Sequence, residues 1–227
     1  MSRAVDPHDP YIGWRPRLAE PVLSASRSAL LVVDMQYGDA DMDHGILKWR
    51  RENGFTNGLD YVAKRLKLIV ANIRRLQEAC RQAGIEVMFT RIRSMTQDGR
   101  ERSLSHRELG HHFPPGSREA AVLDELAPVG DEMVFDKTTG SVFNSTHIHY
   151  VLSNMGIENL IMVGVMTGGC VESAARDAKD LGYRVIVVED ACGTWTAELQ
   201  AVSIHVMNEI FAKVMTVEEV LEAIRRA

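Results

Sequence analysis

Short apolar runs alternate along the chain with longer segments in which apolar residues follow a helical repeat. Apolar residues at 62, 66, 69, 70, 73 and 76 have helical spacing and predict a helix over 59–83, with Gly84 as its C-cap. Strands are predicted at 29–34, 85–90, 132–135, 159–165 and 184–190, and the continuous apolar runs at 29–34 and 184–190 indicate buried strands. Strands that alternate with helices predict an α/β fold: a three-layer, doubly wound, mostly parallel sheet with helices on both faces.

The predicted elements divide the chain into an arm and one domain. Residues 1–27 are polar and proline-containing, and they predict an irregular N-terminal arm with Trp14 as an anchor. Residues 28–227 show no break in composition and predict a single domain. Within it, residues 93–117 predict a loop too long for a simple connection, and hence a functional flap. Helices are also predicted at 117–126, 146–155, 171–181, 197–211 and 216–226.

Composition excludes several classes of function. The 227 residues carry a net charge of −5 without a long basic run, which argues against nucleic acid or an anionic membrane as a partner. The apolar runs are too short to span a bilayer, and the N-terminus has no signal-peptide core. Cys80, Cys170 and Cys192 are odd in number and lack metal-type spacing, which predicts a cytoplasmic protein without disulfides.

Three chemically reactive residues each follow a predicted strand: Asp34, Lys137 and Cys170. The carboxyl ends of parallel strands meet at one edge, so we expect these side chains to lie together there. Cys170 also follows a glycine pair at the start of a helix, where the helix dipole is expected to favour the thiolate. Taken singly, each residue has a structural alternative: a turn-capping aspartate, a surface lysine and a core cysteine.

Together, these residues could hydrolyse an amide. The carboxylate would take the thiol proton during attack on a carbonyl carbon and return it to the leaving nitrogen, while the ammonium steadies negative charge. The N–H groups of Thr167 and Cys170 could form an oxyanion hole. The acyl-thioester route requires no cofactor. Two other classes remain open: a nucleotide- or flavin-binding protein, whose Gly-x-Gly-x-x-Gly turn is missing after the first strand, and a non-catalytic thiol redox module.

Three segments resemble the motifs of the isochorismatase-like cysteine hydrolases, in the family's order: residues 32–36 (Val-Val-Asp-Met-Gln), 135–143 (Phe-Asp-Lys-Thr-Thr-Gly-Ser-Val-Phe) and 164–171 (Gly-Val-Met-Thr-Gly-Gly-Cys-Val). The resemblance implies a catalytic triad of Asp34, Lys137 and Cys170, and a cis peptide between Met166 and Thr167. It also implies carbon–nitrogen hydrolysis of a small molecule by a homo-oligomer, often a tetramer.

The resemblance also narrows the expected substrate. The histidines of the family's metal-containing nicotinamidases are not matched, so no metal is expected, and His106, His111 and His112 are expected to be solvated loop residues. The closest resemblance is to hydrolases of biuret and triuret; N-carbamoyl amino acids and ureidoacrylate are the alternative. Arg91 and Arg93 would matter for such carboxylated substrates. Cys80 and Cys192 are interpreted as structural. The expected substrate-binding residues are Gln36, Tyr37, Phe143, Asn144, Glu209 and Arg91.

Overall fold

The computed structural model of the protein describes residues 18–226, so the anchor predicted at Trp14 lies outside the described residues. The strands are β1 (Ser28–Val33), β2 (Glu86–Ile92), β3 (Val134–Lys137), β4 (Asn159–Val165), β5 (Arg184–Gly193) and β6 (Lys213–Met215). The helices are α1 (Tyr37–Ala40), α2 (Gly45–Glu52), α3 (Leu59–Ala83), α4 (Leu104–Glu108), α5 (Ile148–Asn154), α6 (Glu172–Asp180), α7 (Ala197–Met207) and α8 (Val217–Arg225).

The strands form one parallel sheet in the order β3-β2-β1-β4-β5-β6. From β1, the chain first builds outwards through β2 and β3, and it then returns to place β4 on the other side of β1. The strand order therefore reverses between β1 and β4, and open α/β sheets bind ligands beyond the carboxyl ends of the strands at such a point. The α/β class and the parallel sheet predicted from the sequence are confirmed.

Apolar side chains cover the sheet on both faces. One cluster joins alternate residues of β1 and β2, such as Val32 and Phe89, to α3 and α8. The second joins the intervening residues, such as Leu31 and Met88, to α5, α6 and α7. This alternation follows from the two-residue repeat of a strand, and it determines which face of the sheet each later side chain reaches.

Gly164 allows β4 to lie close against β1 near the reversal point. Its φ is +114°, and a Cβ atom there would lie 2.0 Å from the carbonyl oxygen of Val33. A residue with a side chain would therefore push apart the strands that precede Asp34 and Cys170. The pairing of β4 with β5 shifts register between Met162 and Gly164, in the same region.

The described part of the N-terminal arm lies along the amino ends of the strands. The side chain of Leu23 is buried, and the Glu20 carboxylate lies 2.9 Å from Lys213 at the start of β6. The arm therefore contacts the edge of the sheet opposite to the one where the reactive residues were expected. None of the helices in residues 18–226 is long and apolar enough to cross a membrane.

Two predicted helices differ from the structure. The helix expected over 117–126 is wrong except for a single 3-10 turn at Asp124–Leu126, because this segment pairs with the chain after β1: Tyr37 N–H donates to Ala121, and Leu123 N–H donates to Met35. The helix expected over 197–211 ends at Met207. The predicted 93–117 loop contains the short helix α4.

Candidate active site

Asp34, Lys137 and Cys170 meet at the carboxyl edge of the sheet. Asp34 directly follows β1, Lys137 ends β3, and Cys170 lies in the turn between β4 and α6. The Lys137 Nζ atom lies 2.9 Å from Asp34 Oδ2 and 3.2 Å from Cys170 Sγ. Both members of the ion pair are almost fully buried, with side-chain exposures of 0% for Lys137 and 1% for Asp34. A carboxylate, an ammonium and a thiol are therefore in direct contact.

The Lys137 ammonium is held by contacts on several sides. Besides Asp34 and Cys170, Nζ donates to the carbonyl oxygens of Thr139 and Gly140, each at 3.0 Å. Burial by itself would lower the pKa of Lys137, but the charge of Asp34 and the contacts with Asp34 and Cys170 raise it above its usual value. Lys137 is thus a permanent cation whose hydrogen-bond donors are occupied by the protein.

Thr90 fixes the second oxygen of the Asp34 carboxylate, with its Oγ1 atom donating to Oδ1 at 2.8 Å. Its position follows from the pairing of Val33 with Thr90 across β1 and β2. Asp34 itself has a φ of 51°, in the left-handed region that residues with side chains rarely adopt. The sequence analysis missed Thr90, although its place at the end of the strand next to β1 was a signal that could have found it.

The pKa of Cys170 is raised, whereas the expectation of a helix-stabilised thiolate required it to be lowered. Burial, followed by the neighbouring Asp34 charge, raises the pKa of Cys170 to about 12 even though Lys137 acts in the opposite direction. Gly168 and Gly169 also have non-helical backbone angles, so Cys170 lies in a kinked turn ahead of α6. Attack on a carbonyl therefore needs a base to take the thiol proton, and Asp34 is in position to do so.

The turn before Cys170 differs by one bond from the sequence expectation. The cis peptide expected between Met166 and Thr167 lies instead between Val165 and Met166, because β4 ends at Val165 and the turn starts immediately after it. The Met166 carbonyl accepts hydrogen bonds from the N–H groups of Gly169 and Val171. Thr167 Oγ1 donates to Gln200 of α7 at 2.7 Å. An oxyanion role for Met166, Thr167 and Cys170 stays a prediction.

Gln36 and Tyr37 make contacts with the protein itself. Gln36 is fully buried; its amide nitrogen donates to the carbonyl oxygens of Ile92 and Glu119, each at 2.9 Å, and its oxygen accepts from the Ile92 N–H. The Tyr37 ring packs beneath the Arg118 guanidinium, 3.7 Å away. These contacts connect the segment after β1 to the end of β2 and to the 117–126 segment. Substrate contact by either residue stays a prediction.

Phe143 and Asn144 lie in the 3-10 turn that follows the Lys137 segment. The Phe143 ring packs against the α5–α6 core and lies 6.1 Å from the Tyr183 ring. The Asn144 side chain is exposed. Substrate contact by these two residues likewise stays a prediction.

The expected role of Arg91 is wrong, because its side chain points to the other face of the sheet. Val87 and Phe89 belong to the α3 core, and Arg91 follows them at the same two-residue spacing. Its guanidinium pairs with Asp136 at 2.5 Å, and Arg93 pairs with the other oxygen of the same carboxylate. Both arginines of the Arg91–Asp136–Arg93 cluster are therefore held by one carboxylate on the face away from Cys170.

Glu209 is also not a pocket residue in this structure. It follows the end of α7, has a φ of 60°, and its carboxylate lies 2.9 Å from Lys213 at the start of β6. The Leu18 N–H donates to the same carboxylate at 2.8 Å. These contacts place Glu209 at the amino ends of the strands, opposite to the edge that holds Cys170.

The loop after β2 brings polar residues that the sequence analysis missed to the triad. His106 is 2% exposed, so the expectation of a solvated residue is wrong for it, and its ring lies 5.3 Å from that of the half-buried His111. His111 Nε2 lies 3.5 Å from Asp39 Oδ1, and Asp39 is 5% exposed. The charges of Asp34 and Lys137 act on all three residues. Among residues 18–226, no group of three His, Cys, Asp or Glu side chains is arranged to hold a metal ion.

A parallel α/β sheet whose carboxyl edge joins a carboxylate, an ammonium and a thiol is the architecture of a cysteine hydrolase. Residues 28–219 match the isochorismatase domain. The ureidoacrylate amidohydrolase RutB of Agrobacterium fabrum is 29% identical over 230 residues, covering 93% of this chain and 96% of that protein. The N-carbamoylsarcosine amidase of an Arthrobacter species is 25% identical over 162 residues, covering 69% of this chain and 61% of that protein.

The solved structure of a cysteine hydrolase from Pseudomonas syringae pv. phaseolicola superposes with a TM-score of 0.81 at 24% identity, covering 94% of this chain and 99% of that chain. The protein described here belongs to the isochorismatase family. It is a hydrolase that acts on carbon–nitrogen bonds other than peptide bonds.

Proposed function

We propose that the protein is a cysteine-dependent amidohydrolase that cleaves a small ureido acid, with Cys170 as the nucleophile and Asp34 as the general acid–base. The observation that carries this proposal is the contact of Lys137 with both Asp34 and Cys170. A buried ion pair contributes little to the free energy of folding, because the cost of removing its charges from water offsets much of their attraction. A role in catalysis explains this contact better than a role in stability.

In the first half-reaction, the Cys170 sulfur forms a bond to the ureido carbonyl carbon while Asp34 takes the thiol proton. The tetrahedral intermediate then collapses as the carbon–nitrogen bond breaks, and the protonated Asp34 gives its proton to the departing nitrogen. Ammonia or an amine leaves, and a thioester remains on Cys170. Lys137 balances the negative charge that passes between the sulfur and Asp34.

In the second half-reaction, Asp34 takes a proton from water as the oxygen attacks the thioester carbonyl. The carbon–sulfur bond breaks, and the sulfur recovers its proton from Asp34. The carbonyl oxygen is negatively charged in both tetrahedral intermediates. Backbone N–H groups of the Met166–Cys170 turn are the proposed donors to it, and one such donor is typically worth about 2.7–4 kcal/mol in related chemistry.

Relatives support a ureido acid as the substrate. Similar proteins include ureidoacrylate amidohydrolases and an N-carbamoylsarcosine amidase. Both names refer to ureido compounds that carry a carboxylate. This evidence favours the carbamoyl amino acid and ureidoacrylate class over biuret and triuret. Arg91 does not contribute to the argument, since Asp136 already pairs with it.

An uncharged ureido compound of the biuret type is the second candidate. The observation that favours it is the polar surroundings of the triad, where Asp39, His106 and His111 each have a buried atom without a hydrogen-bond partner among the described residues. A panel of N-carbamoyl amino acids, ureidoacrylate, biuret and triuret, assayed for ammonia release, separates the two classes.

Replacement of the nucleophile tests the mechanism directly. Cys170→Ser should lower kcat/KM on the best substrate of the panel by about 10⁴-fold or more, because a serine hydroxyl is a far weaker nucleophile beside this base. Acid-quenched wild-type enzyme should carry the acyl group on the peptide that contains Cys170, as measured by mass spectrometry. Cys80→Ala is the matched control and should retain activity, since Cys80 is buried in the α3 core. Substantial turnover by Cys170→Ser would refute the assignment.

A further inference from the structure

Three buried polar atoms beside the triad have no hydrogen-bond partner among the described residues: Asp39 Oδ2, His106 Nδ1 and His111 Nδ1. Buried polar side-chain atoms in folded proteins are normally paired, and each exception calls for an explanation. A cluster of three exceptions at one place indicates that a polar ligand completes the site.

The segment that carries the histidines packs over the nucleophile. Phe113 forms a small apolar cluster with Ile92 and Ala120, and Cys170 packs against this cluster. The Phe113 ring also presses against the backbone at Gly38, where a Cβ atom would come within 2.5 Å of it. The segment that carries the unpaired histidine atoms therefore also contacts the partly buried Cys170.

The pKa shifts of the three side chains all favour their uncharged forms. Burial and then the charge of Asp34 raise the pKa of the Asp39 carboxyl to about 8. Burial and then the charge of Lys137 lower the pKa of His106 to about 4, and the same two causes lower the pKa of His111. A neutral imidazole has one nitrogen that accepts a hydrogen bond, and a carboxyl group offers an acceptor oxygen in either protonation state.

We propose that Asp39, His106 and His111 bind the terminal NH2 of the substrate's ureido group and so select substrates with an unsubstituted carbamoyl end. An NH2 group has two N–H donors and needs two acceptors, which Asp39 Oδ2 and an imidazole Nδ1 supply. This inference rests on the proposed ureido hydrolysis and identifies the residues that recognise the reacting end of the substrate.

The charges near this cluster fit an NH2 group better than a carboxylate. The donors of Lys137 are occupied by Asp34, Cys170 and two carbonyl oxygens. Arg102, the other cation that acts on the histidines, donates to the carbonyl oxygens of Gly99 and His111. A carboxylate placed beside Asp34 would meet a like charge in a buried position, which is strongly unfavourable. We therefore expect the acid group of a ureido acid to bind away from Asp34.

The test uses two probes that differ only at the proposed contact: N-carbamoylglycine, and its N,N-dimethylcarbamoyl analogue, which has no terminal N–H. Their affinities are measured by calorimetry in the Cys170→Ala background, so that binding is observed without turnover. We expect this protein to prefer the NH2 probe by about 10-fold or more, since leaving buried acceptors unpaired costs about 1–3 kcal/mol. Asp39→Leu should reduce that preference to less than about 3-fold.

Three further variants guard against misfolding as the explanation. Asp39→Asn has the same shape and keeps an acceptor oxygen, so it should retain most of the preference that Asp39→Leu loses. His111→Asn should weaken binding of the NH2 probe. His112→Asn, its neighbour in sequence, should leave binding unchanged because His112 Nε2 contacts Gln97 at the surface. Thermal unfolding of each variant verifies that it is folded.

Failure of this inference is separable from failure of the proposed function. Wild-type enzyme that hydrolyses ureido compounds, together with a folded Asp39→Leu variant that keeps the full preference, would overturn the recognition role alone. Equal loss of affinity for both probes in Asp39→Leu would also overturn it, because the residue would then only shape the pocket. Absence of ammonia release from every ureido compound by wild-type enzyme would overturn the proposed function and this inference with it.

Discussion

Asp136 and Lys137 are neighbours on β3, yet each forms its ion pair on a different face of the sheet. Lys137 enters the face of α5 and α6 and pairs with Asp34, with both side chains at most 1% exposed. Asp136 enters the face of α3 and pairs with Arg91 and Arg93, all three being 26–32% exposed. Two ion pairs at the same strand end therefore differ in their exposure to water: one is buried and the other is partly exposed.

This difference in burial separates a reactive cluster from a structural one. In the inner cluster, dehydration strengthens Coulomb interactions, so that Asp34 and Lys137 control the protonation of Cys170. In the outer cluster, water screens the charges, and such pairs contribute about 0–1 kcal/mol. The role of a charge pair at a sheet edge therefore depends on the face it occupies and on how deeply it is buried. The residue types alone do not distinguish a reactive pair from a structural one.

Removing the inner cation should have the largest effect. Lys137→Met leaves the Asp34 carboxylate buried without a partner, and we expect a loss of about 3–5 kcal/mol in the free energy of unfolding, measured in urea at pH 7. Hydrolysis should fall by about 10³-fold or more. The double variant Asp34→Asn/Lys137→Met removes both charges and should recover much of the stability but none of the activity. A single variant as stable as wild type would contradict this account of the inner pair.

Asp34→Asn should change hydrolysis and thiol reactivity in opposite directions. Without its base, turnover should fall by about 10²–10⁴-fold. The Asp34 charge helps to hold the pKa of Cys170 near 12, so its removal leaves Lys137 to stabilise the thiolate and lowers that pKa. Alkylation of Cys170 by iodoacetamide at pH 8 should therefore be about 10-fold faster or more, and its pH profile should shift to lower pH. Unchanged or slower alkylation would argue against Asp34 as the group that holds the thiol proton in place.

Breaking the outer cluster should have the smallest effect. Arg91→Gln leaves Asp136 paired with Arg93, so the free energy of unfolding should fall by no more than about 1 kcal/mol. Affinity for carboxylated ureido substrates should stay within about 3-fold of wild type, because Arg91 lies on the face away from Cys170. A large rise in KM restricted to carboxylated substrates would show that Arg91 reaches the pocket after all.

Much of the fold could be predicted because strands and helices are encoded in local periodicity. The helix Leu59–Ala83 and the strand Asn159–Val165 have the bounds that the apolar pattern predicts. The segment 117–126 was less predictable, since its backbone pairs with residues after β1 that are distant in sequence. Similarly, the bounds of α7 depend on contacts that lie beyond the local pattern, and the helix ends before Glu209.

The sequence by itself determined the α/β class, the strand-end positions of Asp34, Lys137 and Cys170, and thereby the expectation that they meet. Only the tertiary structure decided that Arg91 faces away from the triad, that Glu209 lies at the opposite edge, and that the Asp39–His111 contact lies next to Asp34. The physical reason is that strand periodicity and parallel pairing are short-range properties of the chain. Depth, dielectric environment and the partners of a loop are properties of the packed molecule, and these set both the protonation of Cys170 and the shape of its surroundings.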